Sequence, residues 1–251
     1  MTKTAVVTGA SKCIGKAMAQ YLAHRGYNLI LIARDGNAMH QLKGEILESY
    51  PSLQIDVHPL DLANCKVSIP KLQEIASSVS KVDVLFNNAG IAYPGTLDLD
   101  FEQFSEMMDL NVKGVFAVAK IFGEKMKQQR DGYIFNIASV AGKRSLSYLG
   151  GYCASKYAVV GFNSALRQEL SPYNVKVTAL CPGISDATMT KGINMISQDK
   201  LGSWEVIHAV EYLLNSGSNT VVETLDIELN LTLYPRINTS PSSPKYILDE
   251  T

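Results

Sequence analysis

The chain has 251 residues, of which 46% are hydrophobic and 19% charged, and its formal net charge is −1. These values fit one large α/β domain or two small ones, and they exclude the broad basic field that would recruit nucleic acid or anionic lipid. No run approaches the roughly 18 consecutive apolar residues of a membrane span, and MTKTAVVTGAS lacks a signal peptide's apolar region, so a cytoplasmic protein is expected.

In chain order, short β-like runs alternate with helical patterns. TAVVT (4–8) precedes a Gly-rich turn and the helical stretch IGKAMAQYLAHRG. NLILIA (28–33) precedes a helix reaching about Tyr50, in which Gly44 costs roughly 1 kcal/mol against Ala and is expected to bend or fray the helix. LQIDVHPLD (53–61) precedes a helix at 66–80, and VDVLFNNAG (82–90) precedes one long helix over 101–128. YIFNIAS (133–139) leads to a helix that holds YCASK, and VKVTALCPG (175–183) and TLDIELN (224–230) close the series. Continuous apolar runs, each followed by a helix, indicate a parallel sheet covered on both faces. The expected architecture is α/β: a single-domain Rossmann fold over 1–251, with a doubly wound parallel sheet of about seven strands and helices on both faces. The tail 235–251 has loop composition, and TVVETLDIELNL is expected as a last edge strand able to pair between subunits.

Cys13, Cys65, Cys153 and Cys181 form no CxxC pair, and the four histidines make no ligand spacing, so no metal site is expected. Cys153 is expected within reach of alkylating reagents. The triplets starting at Asn230 and Asn238 match glycosylation acceptors and are read as chance.

In YCASK, Tyr152 and Lys156 are four positions apart and share a face if the segment is helical. A nearby ammonium favours the phenolate, so the pair suits an acid/base tyrosine. A half-buried tyrosine beside a solvated lysine satisfies the same spacing. Other chemistry-bearing residues also fall at the carboxyl ends of predicted strands, where open parallel sheets bind ligands. TGASKCIG (8–15) follows the first strand and opens a helix, a turn suited to a pyrophosphate. NNAG (87–90) follows the fourth strand, Ser139 follows the fifth, CPG (181–183) follows the sixth, and Asn111 sits on the long helix in LNVKG. Read singly, Ser139 is a strand-end cap, Asn111 a brace for a helix irregularity and Lys156 a surface charge.

Taken together, TGxxxxxG, NNAG, the Asn of LNVKG, Ser139, YxxxK and PG resemble the short-chain dehydrogenase/reductase family in order and spacing from Thr4 to about Pro182. The resemblance implies catalytic roles for Asn111, Ser139, Tyr152 and Lys156. Tyr152 would be the general acid or base at a carbonyl oxygen and Ser139 would polarise that oxygen. Lys156 would hold the nicotinamide ribose and lower the Tyr152 pKa, and Asn111 would hold a water that relays protons to Lys156. Cofactor contacts are implied for Gly9, Ser11, Lys12, Cys13, Ile14 and Gly15, for Asp61 and Leu62 at the adenine, and for Asn88, Ala89 and Gly90. Tyr152, Lys156, Pro182, Gly183 and Ser185 are implied at the nicotinamide end. The family's ribose-binding Asp aligns with Ala33, and Arg34 and Lys12 suit a 2′-phosphate, so NADP(H) is favoured over NAD(H). Asp35 complicates that reading, and Asp61 has the alternative role of capping the next helix.

Two departures stand out. Cys13 replaces a Gly or Ala and threatens to crowd the backbone at the pyrophosphate. PGISDATM places Ser185 and Ala187 where the family often has Val and Thr, leaving Thr188 or Ser185 as substitutes. Residues 184–203 resemble the family's substrate lid. The implied activity is reduction of a small-molecule carbonyl or oxidation of the alcohol; a 3-oxoacyl thioester, a 3-hydroxy acid and a general carbonyl are all open. The alternative is a catalytically silent dinucleotide-binding regulator or scaffold. The resemblance implies that the long helix and the YCASK helix pack against their copies in a homodimer or homotetramer, and their small and apolar residues fit that, although the same residues suit an intramolecular core.

Overall fold

The structure, a computed structural model, describes residues 2–183, 201–217 and 219–228. Ser185, Ala187, Thr188, most of the expected lid, both Asn triplets and the tail 235–251 lie outside the described residues. Seven strands form one parallel sheet: β1 (Thr4–Thr8), β2 (Asn28–Ala33), β3 (Ile55–Pro59), β4 (Val84–Asn87), β5 (Gly132–Ile137), β6 (Val175–Pro182) and β7 (Thr224–Ile227). Their order is β3-β2-β1-β4-β5-β6-β7, so the chain starts in the middle and winds out to both edges. β1 and β4 are neighbours although consecutive windings leave from them in opposite directions; this is the switch point at which parallel sheets open a crevice.

Helices α1 (Cys13–His24), α2 (Gly36–Ser49), α3 (Cys65–Ser78), α4 (Phe101–Met108), α5 (Val115–Gln129), α6 (Gly150–Leu170) and α7 (Ser203–Asn215) cover the two faces. Strand alternation assigns each side chain to one layer. Val7, Leu29, Leu31 and Phe135 pack with Met18 and Leu22 of α1, Leu42 of α2 and Val210 of α7. Val6, Ile30, Ile32 and Ile134 pack with Leu72 of α3 and with Phe122 and Met126 of α5 on the other face. With both faces covered, the strands read as continuous apolar runs. Among the described residues, no helix is long and apolar enough to cross a membrane.

Three local expectations need correction. The helix expected over 101–128 is interrupted by a π-helical segment at Asp109–Gly114, between α4 and α5. Helix α2 runs unbroken through Gly44, which faces open space and forces nothing to move. β5 ends at Ile137 rather than at Ser139, because Ser139 turns out of the sheet to cap a short 3-10 turn at Val140–Gly142.

Candidate active site

The floor of the site is the turn between β1 and α1. Gly9 has φ +63, and a Cβ there would fall 2.8 Å from Asn88 Nδ2. A Cβ on Gly15 would fall 2.1 Å from the Gly9 carbonyl oxygen, so the turn closes only on glycine at this position. Cys13 is the first residue of α1 and adopts φ +50, in the left-handed region where a side chain is strained. It is half-buried and lines the cavity above the turn. Lys12 precedes the helix without capping it through its side chain, which leaves the orphan N–H groups of the first turn to meet an anion.

Thr8 ties this turn to the NNAG strand end. Its Oγ1 accepts from the Asn88 and Ala89 amides at 2.9 and 3.0 Å and donates to Asn87 Oδ1 at 3.4 Å. Asn88 Nδ2 donates to the Thr8 carbonyl at 3.0 Å. Behind them a buried amide relay runs from Asn87 to Asn136 (3.1 Å), on to Asn163 (3.0 Å) and to the Glu223 carbonyl (3.2 Å). It fastens β4, β5 and α6 together with every partner satisfied, as buried polar groups require.

Above lies a cavity of about 360 Å³. Gly9, Ser11, Lys12, Cys13 and Ile14 form one wall, Arg34, Asp61 and Leu62 a second, and Asn88, Ala89 and Gly90 a third. Gly15 lies beneath, in the turn itself. Ala33 and Asp35, the two positions weighed for the ribose acid, also line it, and so do Leu60, Ile91, Ala92, Tyr93 and Leu110, which were not anticipated; only the place of Ile91 to Tyr93 directly after NNAG could have signalled any of these five. Asp35 accepts the Ala38 amide at 3.0 Å as the N-cap of α2, so its carboxylate is engaged by the helix. Asp61 accepts the Ala63 amide at 3.1 Å while Asn64 takes the N-cap position of α3, so the helix-capping alternative for Asp61 does not hold. Lys12 and Arg34 stand exposed at the rim. Glycines that admit a backbone approach, orphan amides and two rim cations form a donor set that fits a phosphorylated dinucleotide.

At its inner end the cavity meets the catalytic corner. A Cβ on Gly90 would fall 3.2 Å from Asn111 Oδ1 and 3.7 Å from Lys156 Nζ. Asn111, carried on the π-helical segment, accepts the Ile91 amide at 2.9 Å and donates to the Ile91 carbonyl at 2.8 Å and to Ser155 Oγ at 3.1 Å. Ser155, which sequence reasoning missed, donates to the Tyr152 carbonyl at 2.7 Å and so links the π segment to the start of α6. The Asn111 carboxamide protons are thereby committed to the chain.

Ser139 is buried; its Oγ accepts the Ala141 amide at 3.1 Å and donates to the Pro182 carbonyl at 3.2 Å. Tyr152 is half-buried, and its phenol is close enough to Ser139 for that hydroxyl to oppose the rise in its pKa. Lys156 is buried one helical turn on; its Nζ donates to the Ile137 carbonyl at 2.8 Å and lies 5.7 Å from the Tyr152 ring centroid. Gly183 donates to the Ile227 carbonyl at 2.8 Å, which fixes the end of β6.

Burial sets the electrostatics. It pushes the Tyr152 phenol up to about 12; the Ser139 hydrogen bond pulls it down in part and Cys153 adds to the rise. It pulls Lys156 down to about 8, with Cys181 acting against the fall. In the chain by itself burial dominates both groups, and the Lys156 ammonium is turned onto the Ile137 carbonyl rather than the phenol. Cys153 also departs from expectation. It is buried, and its Sγ accepts the Leu146 amide at 3.4 Å, which puts it out of easy reach of reagents.

Known proteins share the fold. The family model described as short chain dehydrogenase matches residues 3–197. The chain belongs to the short-chain dehydrogenase family. It is 30% identical over 227 residues to an uncharacterized oxidoreductase of Staphylococcus epidermidis, covering 90% of this chain and 96% of the relative. Among solved structures it resembles an alcohol dehydrogenase of the archaeon Thermococcus sibiricus complexed with 5-hydroxy-NADP (29% identity, TM-score 0.82, covering 90% and 96% of the two chains). It also resembles a β-ketoacyl-[ACP] reductase of Bacteroides thetaiotaomicron (31% identity, TM-score 0.79, covering 92% and 99%). As a family member the protein is an oxidoreductase with the doubly wound fold.

Proposed function

We propose that the protein is an NADP(H)-dependent oxidoreductase that interconverts a carbonyl and an alcohol. One observation carries this reading: Ser139 neighbours the Tyr152 phenol, and Lys156, one helical turn on, lies against Gly90 at the wall of the cavity. When bound, the nicotinamide cofactor supplies or receives the hydride. In reduction, Tyr152 delivers its phenolic proton to the carbonyl oxygen, which becomes the alcohol hydroxyl, while Ser139 donates a hydrogen bond to the same oxygen. With a pKa near 12, the phenol is fully protonated at neutral pH and is present as the acid. Lys156 binds ribose hydroxyls and, once its ammonium leaves the Ile137 carbonyl, favours the phenolate that follows. Arg34 and Lys12 hold the 2′-phosphate; similar structures that hold NADP or 5-hydroxy-NADP support this choice. Tyr152→Phe should cut NADPH-dependent turnover by about a thousandfold, in line with the loss of a general acid, while NADPH binding measured by fluorescence stays within about twofold. A Tyr152→Phe enzyme as active as the wild type would end this reading.

The protein forms a homodimer through α5 and α6 under the same proposal. An apolar groove of about 430 Å³ opens there between Ile69, Val112, Phe116, Ala158 and Phe162, and Phe116 is 48% exposed. A monomer in sedimentation velocity at micromolar concentration would refute this part. Dimeric or tetrameric, the protein is taken to work in the cytoplasm.

A further inference from the structure

The loop that leaves Ser139 carries adjacent cations, Lys143 and Arg144, and both are answered from the edge strand. Lys143 Nζ lies 2.8 Å from each carboxylate oxygen of Asp226 on β7. Arg144 pairs with Glu228, just past the end of β7. The loop cannot lift away easily between these ties and the catalytic helix: a Cβ on Gly142 would fall 2.6 Å from the Lys156 carbonyl oxygen. Burial pushes the Cys181 thiol up to about 11; Asp226 adds to the rise, while Lys143 and Lys156 oppose it. Beyond Arg144 the same loop turns apolar. Ala141, Leu149 and Cys153 form a small buried cluster, and Leu146 and Tyr148 pack against it together with Tyr152.

We infer that Asp226 and Glu228 are specificity-determining residues: by pairing with Lys143 and Arg144 they leave no uncompensated cation on the loop that packs beside Tyr152 and so select an uncharged carbonyl compound over a carboxylate. The inference rests on the oxidoreductase reading and deepens it, since it removes hydroxy and keto acids from the open substrate classes and keeps neutral ketones and acyl thioesters. A paired cation offers a distant anion only a dipole, whereas an unpaired one beside the site attracts a carboxylate directly and decides between substrates of equal shape. Such half-exposed pairs contribute little to stability, so their removal changes charge more than fold. The residues act through the loop and its field, without touching the reacting atoms.

The test compares methyl hexyl ketone with the keto acid that carries a carboxylate at the far end of the same chain, by NADPH oxidation at low salt. The wild type should favour the ketone in kcat/KM by about tenfold or more. Asp226→Asn and Glu228→Gln together should raise kcat/KM for the keto acid by roughly tenfold, through KM, and leave the ketone within about twofold. High salt should erase the gain. The charge-swapped pair Lys143→Glu with Asp226→Lys should restore the wild-type preference, and NADPH binding identifies any variant that has failed to fold. A wild type that prefers the keto acid, or a preference that the neutralising variants leave unchanged, overturns the inference while leaving the oxidoreductase reading intact. Tight NADPH binding with turnover of no carbonyl at all overturns both.

Discussion

The two halves of the site are built by different physics. The cofactor half, from the Gly turn to NNAG, is shaped by backbone approach: Gly9, Gly15 and the Thr8 hydroxyl bring β1 and β4 within hydrogen-bonding distance, and the charged residues stay at the exposed rim. The catalytic half is shaped by side chains that have been taken out of water, and both of its titratable groups are driven toward neutrality. Damage to the first should therefore be steric and insensitive to pH, and damage to the second electrostatic.

The largest effect expected from a single atom lies in the cofactor half. Gly15→Ala sets a methyl group 2.1 Å from the Gly9 carbonyl oxygen, and neither side is a flexible side chain. Overpacking of this kind costs about 3 kcal/mol, and the turn should also lose NADPH affinity by at least about tenfold as its amides move off the phosphate. Urea denaturation and calorimetric titration measure the two losses, and both should be constant between neutral and mildly alkaline pH. A tolerated Gly15→Ala would show that the turn is softer than its packing implies.

The contrasting case is Lys156→Met. The folded pKa of Lys156, about 8, is below the ordinary lysine value of 10.5. A depressed pKa gives stability that is present above the unfolded value and lost as pH falls through the folded one, so stability should rise between pH 8 and pH 10.5. Tyr152 has the opposite sign: its pKa rises from 10.0 to about 12, so stability falls again as pH climbs through that interval. Lys156→Met should remove the first limb, raise the unfolding free energy at neutral pH by about 1–3 kcal/mol, and abolish turnover. Wild-type and variant stability curves that run parallel from pH 7 to pH 10.5 would mean that the lysine is not desolvated as its position indicates.

The contrast also explains what was legible in the sequence. Parallel strands covered on both faces print themselves as apolar runs, and a glycine that must meet a backbone leaves a fixed residue at a fixed spacing; the sheet, the Gly turn and NNAG could be read for that reason. Ser139, Tyr152 and Lys156 were legible as a set, since their order and spacing survive in one dimension. Their protonation was not. Spacing reports a neighbouring charge, whereas the sign of the Tyr152 shift comes from burial by elements distant in sequence. Asn136, Asn163 and Ser155 were missed for the same reason, because their partners are 27 to 60 positions away. The π segment under Asn111 did leave a local hint, since Asp, Asn, Val and Gly in DLNVKG are weak helix formers, but the hint does not say which irregularity results.

At the rim of the cofactor half, Arg34 gives a smaller and more selective effect. A charge-assisted contact to phosphate contributes roughly 1.5–3 kcal/mol, so Arg34→Ala should raise the KM for NADPH by about tenfold to a hundredfold. NADH, which lacks the 2′-phosphate, should change by less than about twofold. Equal losses for both cofactors would assign Arg34 to the fold of the β2–α2 junction rather than to the phosphate.

Gly44→Ala belongs to neither half and tests whether the comparison is about the site at all. Gly44 sits in the exposed interior of α2, where a Cβ meets nothing within 4 Å. Alanine there removes unfolded-state entropy, a gain of about 0.5–1 kcal/mol. For a chain of this size that raises Tm by roughly 1–4 °C, visible in a thermal scan. Helix α2 begins at the Asp35 cap, next to Arg34, so it forms the outer support of the cofactor rim. If backbone geometry fixes that rim, a stiffer α2 changes Tm and leaves NADPH affinity within about twofold, since an already ordered support has nothing further to give. A change in affinity that tracks the change in Tm would show that the rim is held by helix stability, and the division between a rigid cofactor half and an electrostatic catalytic half would fail at that edge.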